Sequence, residues 1–95
     1  MKIELKKFGD LLNSRPDGRE ALMAIEPLLR NMSEDEMIEI DFDGVKTLTP
    51  SWADEFITKL VDRFGDRVRL AKSENPSVKV TLELLARLKA DSKME

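Results

Sequence analysis

Apolar and polar residues alternate with a period of two in three short segments of the chain, as they do in half-buried β-strands. These segments are residues 2–6, 37–42 and 68–72. Three longer segments, roughly residues 17–31, 50–64 and 76–90, carry apolar residues at helical spacing. The pattern predicts the order β-α-β-α-β-α, with connections long enough to join the strands in a short parallel or mixed sheet.

The polar positions of the three strands are mostly charged. They hold Glu4, Glu39, Asp41, Arg69 and Lys72. In a sheet that helices cover on both faces, nearly every residue of a strand is apolar. In these strands about every second residue is polar or charged. We therefore predict a small one-sided α/β sandwich, with the helices packed on one face of the sheet and the other face exposed to solvent.

The boundaries of two helices are marked by residues with known capping preferences. Thr49-Pro50 and Asn75-Pro76 each provide a capping side chain followed by proline at the first helical position. Gly65 lies where the second helix is expected to end. In the third helix, the apolar spacing predicts that Val78, Leu82, Leu85 and Leu88 face the core.

The start of the first helix is less sharply defined. Residues 13–18 have the composition of a turn, and Asp17 is the expected cap of the helix that follows. Pro27 lies inside the helical pattern and is expected to kink the helix or to divide it into two pieces.

Length and composition narrow the choice of function. The 95 residues, of which 41% are hydrophobic, predict one domain over residues 1–95. A net charge of -3 without a basic cluster argues against nucleic-acid binding. The chain has no cysteine and no histidine, so we expect no catalytic role, no cofactor and no metal site. No apolar stretch reaches the roughly 20 residues of a membrane span, which predicts a cytoplasmic protein without membrane contact.

Ser51 is the first candidate for a functional residue. It lies in the first turn of the second helix, where free N–H groups and the helix dipole favour a phosphate. Ser77 has the same position in the third helix, so a serine here is also explained by helix-start preference. The acidic neighbours Asp54 and Glu55 disfavour a phosphate by repulsion.

Two groups of charged residues are further candidates. The carboxylates Asp41, Asp43, Asp54 and Glu55 could hold a metal, but solvated side chains and helix-dipole partners explain them more simply. Two arginines flank the predicted turn at residues 16–18, and they could bind an anion or pair with nearby carboxylates. They are Arg15 and Arg19.

The chain resembles a known family in the stretch from Asp41 to Phe56. Asp-Phe, Gly-Val and Ser-Trp-Ala-Asp-Glu, at residues 41–42, 44–45 and 51–55, follow the pattern of STAS-like domains of unknown function. These domains are relatives of the anti-sigma-factor antagonists and of sulfate-transporter C-terminal domains. The resemblance extends over about residues 3–88 and implies a STAS-like fold.

The resemblance also implies a function. In the antagonists, a serine at the position of Ser51 is phosphorylated by a partner with a histidine-kinase-like ATPase fold, and phosphorylation breaks the complex. The antagonists carry Asp-Ser-Ser-Gly where this chain has residues 49–52 as Thr-Pro-Ser-Trp. We therefore expect a non-enzymatic regulatory protein-interaction domain. Trp52, on one helix face with Phe56, is most simply a core residue, and a partly exposed Trp52 would be an anchor of the interface. The expected partner-binding edge consists of Val45, Thr47, Thr49, Ser51, Trp52, Asp54 and Glu55.

Two other interpretations remain open. The alternative function is a small-ligand or anion-binding domain, in which the helix starts at Pro50 and Pro76 act together with Arg15 or Arg19. A homodimer formed through the exposed sheet face or an edge strand is compatible with either function.

Overall fold

The structure is a computed structural model that describes the backbone of residues 1–93 and the side chains of residues 1–90. Within residues 1–93, five strands and four α-helices follow one another. In order, they are β1 (Lys2–Glu4), β2 (Leu11–Leu12), α1 (Arg15–Arg30), β3 (Ile38–Asp41), β4 (Thr47–Leu48), α2 (Pro50–Ala53), α3 (Lys59–Phe64), β5 (Val68–Leu70) and α4 (Pro76–Lys93). Residues 94–95 of the predicted domain lie outside the described residues.

The main sheet has three parallel strands in the order β1-β3-β5. Ile3 pairs with Ile40 and Ile40 pairs with Leu70, so the apolar positions of the three strands share one face. On the opposite face, Lys2, Glu39 and Arg69 form an exposed cross-strand row. The predicted fold class, a small α/β domain with helices and a parallel sheet, is confirmed.

A second, two-stranded parallel sheet joins β2 to β4, and the sequence pattern did not predict it. Each strand has two residues, which is too short to show an alternating pattern. These strands directly precede α1 and α2, so they bring the starts of two helices together.

The second predicted helix is continuous over residues 50–64 but irregular in the middle. A π-helical turn, Asp54–Thr58, joins α2 to α3, and we call the whole of residues 50–64 the middle helix. Its last residue, Phe64, is followed by Gly65 at a positive φ of 57°, which agrees with the predicted end. Single π-helical turns inside α-helices are frequent at functional sites.

The start of α1 differs from the prediction. Ser14 caps the helix, because its Oγ accepts a hydrogen bond from the backbone N–H of Asp17 at 3.1 Å. The prediction of a turn up to residue 18, with Asp17 as the cap, is therefore wrong: Asp17 lies inside the first helical turn. Pro27 also lies inside α1 without dividing it.

Apolar side chains from the sheet and the helices form one core. The largest fully buried side chains include Trp52 and Phe56, whose rings stack with centroids 4.9 Å apart. The predicted inward position of Leu88 is wrong, because this residue is 55% exposed. Of the helices within residues 1–93, none has both the length and the apolar character needed to cross a membrane.

Candidate functional site

The starts of α1, α2 and α4 lie close together, because β2 and β4 are parallel neighbours and Asn75 is hydrogen-bonded to the segment before β4. We call this part of the molecule, formed by residues 11–15, 45–51 and 73–77, the carboxyl edge. Its segments are hydrogen-bonded to one another. The Thr49 N–H donates to the Leu12 carbonyl at 2.9 Å, and Asn75 Nδ2 donates to the carbonyls of Val45 and Lys46 at 2.8 and 3.0 Å.

The middle helix starts with the predicted cap. Thr49 Oγ1 accepts from the backbone N–H of Trp52 at 3.4 Å and donates to the Leu12 carbonyl at 3.3 Å. Ser51 is half-buried, and among the described residues its hydroxyl has no hydrogen-bond partner. The Ser51 hydroxyl therefore contributes no hydrogen bond to the described part of the fold.

The start of α4 is tied to β4 by side chains. Asn75 Oδ1 accepts from the Ser77 N–H at 2.8 Å, which confirms the predicted cap. Ser77 Oγ accepts from the Leu48 N–H at 3.0 Å and donates to the Leu48 carbonyl at 3.2 Å. Thr81 Oγ1 donates to the same carbonyl at 2.6 Å. Ser77 thus has a structural role that Ser51 lacks.

Gly18 lets α1 approach the backbone of the middle helix. A Cβ at this position would lie 2.5 Å from the Trp52 carbonyl oxygen, which is closer than real Cβ contacts allow. Sequence reasoning placed Gly18 in a turn and missed this role, since its contact lies 34 positions further along the chain at Trp52. A glycine inside a helical pattern was the available signal.

The two candidate arginines lie in the first turns of α1 and pair with carboxylates of the π-helical turn. Arg15 Nη1 lies 2.9 Å from Asp54 Oδ2 and 3.4 Å from Glu55 Oε1, and Arg19 Nη2 lies 3.6 Å from Glu55 Oε1. The hydrogen bond to Asp54 is the main reason that the pKa of Arg15 is raised above its ordinary value. Pairing with nearby carboxylates was the alternative interpretation of these arginines. Their binding of an external anion stays a prediction.

The predicted partner-binding edge contains two residues that belong to the core. Val45 is 5% exposed and Trp52 is 1% exposed, so neither can contact a partner in this structure. The expectation that Trp52 anchors an interface is therefore wrong. The other five residues of the edge are all half-buried, and we call them the edge strip; they are Thr47, Thr49, Ser51, Asp54 and Glu55.

Of the two remaining carboxylate candidates, Asp41 has local partners. Asp41 Oδ1 accepts from the Asp43 N–H at 3.1 Å, and Asp41 Oδ2 lies 3.7 Å from Lys2 Nζ. Within residues 1–93, no three side chains of the types that usually bind metals form a cluster.

An apolar groove of about 500 Å³ separates the middle helix from the second half of α4. Leu70 of β5 and Asp54 of the edge strip are among the residues that line it. The sequence did not reveal this groove, because its leucines have the same spacing as core residues. The apolar lining comprises Ile57, Val61, Leu70, Leu82, Leu85, Ala86 and Leu88.

Comparison with known proteins identifies one family. A family model described as a STAS-like domain of unknown function (DUF4325) matches residues 17–79, which contain α1 from Asp17 onward, β3, β4, the middle helix, β5 and the start of α4. No curated protein matches the chain. No solved structure matches it either.

Proposed function

Because the chain belongs to the family of STAS-like domains of unknown function, we propose that it is a non-enzymatic regulatory domain that binds a protein partner. The partner contacts the edge strip, and phosphorylation of Ser51 weakens the complex. The resemblance of residues 41–56 to the anti-sigma-factor antagonists supports this type of function.

The observation that carries the proposal is the difference between the two serines at helix starts. The Ser77 hydroxyl both accepts from and donates to the backbone of Leu48, so its modification would break contacts within the fold. The Ser51 hydroxyl makes no hydrogen bond with a described residue and lies at the surface of the carboxyl edge. A kinase could therefore modify Ser51 without first breaking a hydrogen bond of that hydroxyl.

The carboxylates next to Ser51 are less of an obstacle to a phosphate than the sequence indicates. Asp54 and Glu55 both have arginine partners, and two positive charges balance the two negative ones. The first N–H groups of the middle helix add a positive potential at its start. A phosphate on Ser51 would bring about -1.5 to -2 charges to a surface where Asp54 and Glu55 are otherwise balanced by the two arginines.

The partner that the resemblance favours is an ATPase with a histidine-kinase-like fold. Such a protein would supply both the binding surface and the phosphoryl donor, so the same partner would bind the chain and phosphorylate it. In an interface, a new phosphate must be desolvated and paired, and without matching positive charge it weakens binding.

The test is a binding measurement with Ser51→Asp against a purified histidine-kinase-like ATPase, which is sought first among the proteins encoded by neighbouring genes. We expect the dissociation constant to rise about tenfold or more by calorimetry, which corresponds to about 1.4 kcal/mol. Incubation of the unmodified chain with the ATPase and ATP should add one phosphoryl group at Ser51, detected by mass spectrometry.

Ser33→Asp is the matched control. Ser33 is exposed and lies between α1 and β3, at the end of the sheet opposite to the carboxyl edge. Ser77→Asp is unsuitable, because it would disturb the hydrogen bonds to Leu48. Equal weakening by the substitutions at Ser51 and Ser33 would show that the edge strip has no special part in binding.

A further inference from the structure

The arginines of α1 point to how a phosphate on Ser51 would be received. We propose that Arg15, assisted by Arg19, binds the phosphate of phosphorylated Ser51 and gives up its contacts with Asp54 and Glu55. This inference rests on the proposed phosphorylation of Ser51, and it assigns to the two arginines a part in the regulation of the edge strip.

The position of Ser51 on the middle helix brings it close to the arginine contacts. Asp54 and Glu55 follow Ser51 by three and four residues, so the three side chains share one face of the helix. Side chains at this spacing have Cβ atoms about 5–6 Å apart. Arg15 already reaches both carboxylates from α1. A phosphate on Ser51 would lie about one helical turn from the carboxylates that the Arg15 guanidinium contacts.

Arg15 uses only part of its binding capacity in this structure. One nitrogen, Nη1, makes both contacts, at 2.9 Å to Asp54 and 3.4 Å to Glu55. Within the described residues, its Nη2 and Nε donate no hydrogen bond. The side chain is 46% exposed and can change rotamer without disturbing the core. A phosphate offers three oxygen acceptors and can take two parallel hydrogen bonds from one guanidinium, which is a stronger arrangement.

The local charges favour the transfer of the two arginines from the carboxylates to the phosphate. Before modification, Arg15 and Arg19 face Asp54 and Glu55, and the group is neutral. After modification the phosphate carries about two negative charges, more than either carboxylate, and competes for the same arginines. The contact of Arg19 with Glu55, at 3.6 Å, is the longest of the three. Asp54 would then lose its arginine and leave an unpaired carboxylate at the border of the apolar groove.

The chemical step is an ordinary phosphoryl transfer. Ser51 Oγ forms one bond to the γ-phosphorus of a nucleoside triphosphate held by the partner kinase, and the bond between the β- and γ-phosphates breaks. The nucleoside diphosphate leaves with the electron pair of that bond, and the kinase takes the hydroxyl proton. The proposal concerns only what this chain does with the product.

The test needs no partner protein. The chain is made with phosphoserine at position 51, and the second pKa of the phosphate is followed by ³¹P NMR as a function of pH. A neighbouring guanidinium favours the doubly charged form and lowers this pKa. We expect the pKa to rise by about half a unit or more when Arg15→Gln is introduced, and to fall back partly with Arg15→Lys.

Arg30→Gln is the matched control, since Arg30 is an exposed arginine in the last turn of the same helix. It should leave the phosphate pKa unchanged. The ¹⁵Nε signal of Arg15 provides a second readout without a variant that could affect folding, and it should shift when Ser51 carries the phosphate. An unchanged phosphate pKa in Arg15→Gln, or an unchanged Arg15 signal, would overturn the inference.

The outcome is separable from that of the proposed function. If Ser51→Asp weakens the partner complex but Arg15→Gln leaves the phosphate pKa unchanged, the proposed regulatory function is supported and the binding of the phosphate by Arg15 is disproved. If the phosphate binds Arg15 but no partner responds to Ser51→Asp, the intramolecular contact is real and the proposed regulatory function fails.

Discussion

Residues 49–51 and residues 75–77 are two versions of one local sequence, a capping side chain followed by proline and serine. Both start a helix at the carboxyl edge, and both caps form as the sequence predicts. The serines differ. Ser77 is bonded to the backbone of Leu48, 29 positions away, whereas Ser51 has no such contact among the described residues. The comparison teaches that a local motif fixes where a helix begins, while tertiary contacts decide whether its serine is available.

The two helix starts are also held in place by different means. The start of the middle helix lies directly against α1 through the close backbone contact at Gly18. The start of α4 is fastened by the side chains of Asn75, Ser77 and Thr81. Apart from the hydrogen bonds of Thr49 to Leu12, the first attachment depends on the absence of a side chain at position 18, and the second depends on the presence of three side chains. Three sets of substitutions test this difference, in order of decreasing expected effect.

Gly18→Ala should give the largest loss of stability, because it breaks the attachment of the middle helix. The added Cβ meets the Trp52 carbonyl at 2.5 Å, and backbone atoms cannot yield as a flexible side chain can. Overpacking of this kind costs about 1–3 kcal/mol, and the better helix propensity of alanine offsets about 1 kcal/mol. Because the clash is with backbone atoms, we expect the upper end of this range, which leaves a net loss of about 2 kcal/mol in the free energy of unfolding, measured by urea denaturation. Ala24→Ser, at an exposed position of α1, is the control; no loss at Gly18 would disprove the close contact.

Asn75→Ala should cost somewhat less, but more than Thr49→Ala. Asn75 caps α4 and also donates to two carbonyls of the segment before β4, so its removal leaves three backbone groups without their partner. Loss of a cap alone costs about 1 kcal/mol, the value expected for Thr49→Ala. Asn75→Ala should cost about 1.5 kcal/mol in the same measurement, since the two lost hydrogen bonds to carbonyls are exposed or part-buried and together add about 0.5 kcal/mol. Equal losses at the two positions would mean that the bonds to Val45 and Lys46 contribute nothing.

The smallest effects should come from the two serines themselves, and their ratio is the most direct test of the comparison. Ser77→Ala leaves the Leu48 N–H without its acceptor, at a cost of about 1 kcal/mol. Ser51→Ala should change the free energy of unfolding by less than about 0.5 kcal/mol, because no hydrogen bond to a described residue is lost. If Ser51→Ala proved as costly as Ser77→Ala, the Ser51 hydroxyl would have a structural role, and its availability to a kinase would be doubtful.

The sequence predicted the parts of the fold that depend on local periodicity. The three main strands and the three long helical segments follow from the spacing of apolar residues, and the charged row with Glu39 and Arg69 revealed the exposed sheet face. These features extend over enough residues for a period to be recognised. The strands β2 and β4, with two residues each, are below that limit. The π-helical turn also has no periodic signature in the sequence.

The errors at the candidate site have a common physical cause, which is contact between distant parts of the chain. Gly18 has the composition of a turn residue, but its partner is the backbone of Trp52. Trp52 is a core residue, which was its simplest interpretation, but its burial against Phe56 and near Phe8 makes its expected role as an interface anchor wrong. Local spacing showed that Asp54 and Glu55 follow Ser51 on one face. It could not show that Arg15 crosses from another helix to pair with them.

The hydrogen bonds at Leu48 also affect whether β4 can pair with a strand of another copy of the chain. Thr47 and Thr49 direct their N–H groups toward the segment that contains β2, so Leu48 directs its own N–H and carbonyl to the outer side of β4. An exposed strand edge of this kind is a template for pairing with a strand of another molecule and so for aggregation. Here the hydroxyls of Ser77 and Thr81 occupy both groups. The start of α4 therefore seals this strand against intermolecular pairing.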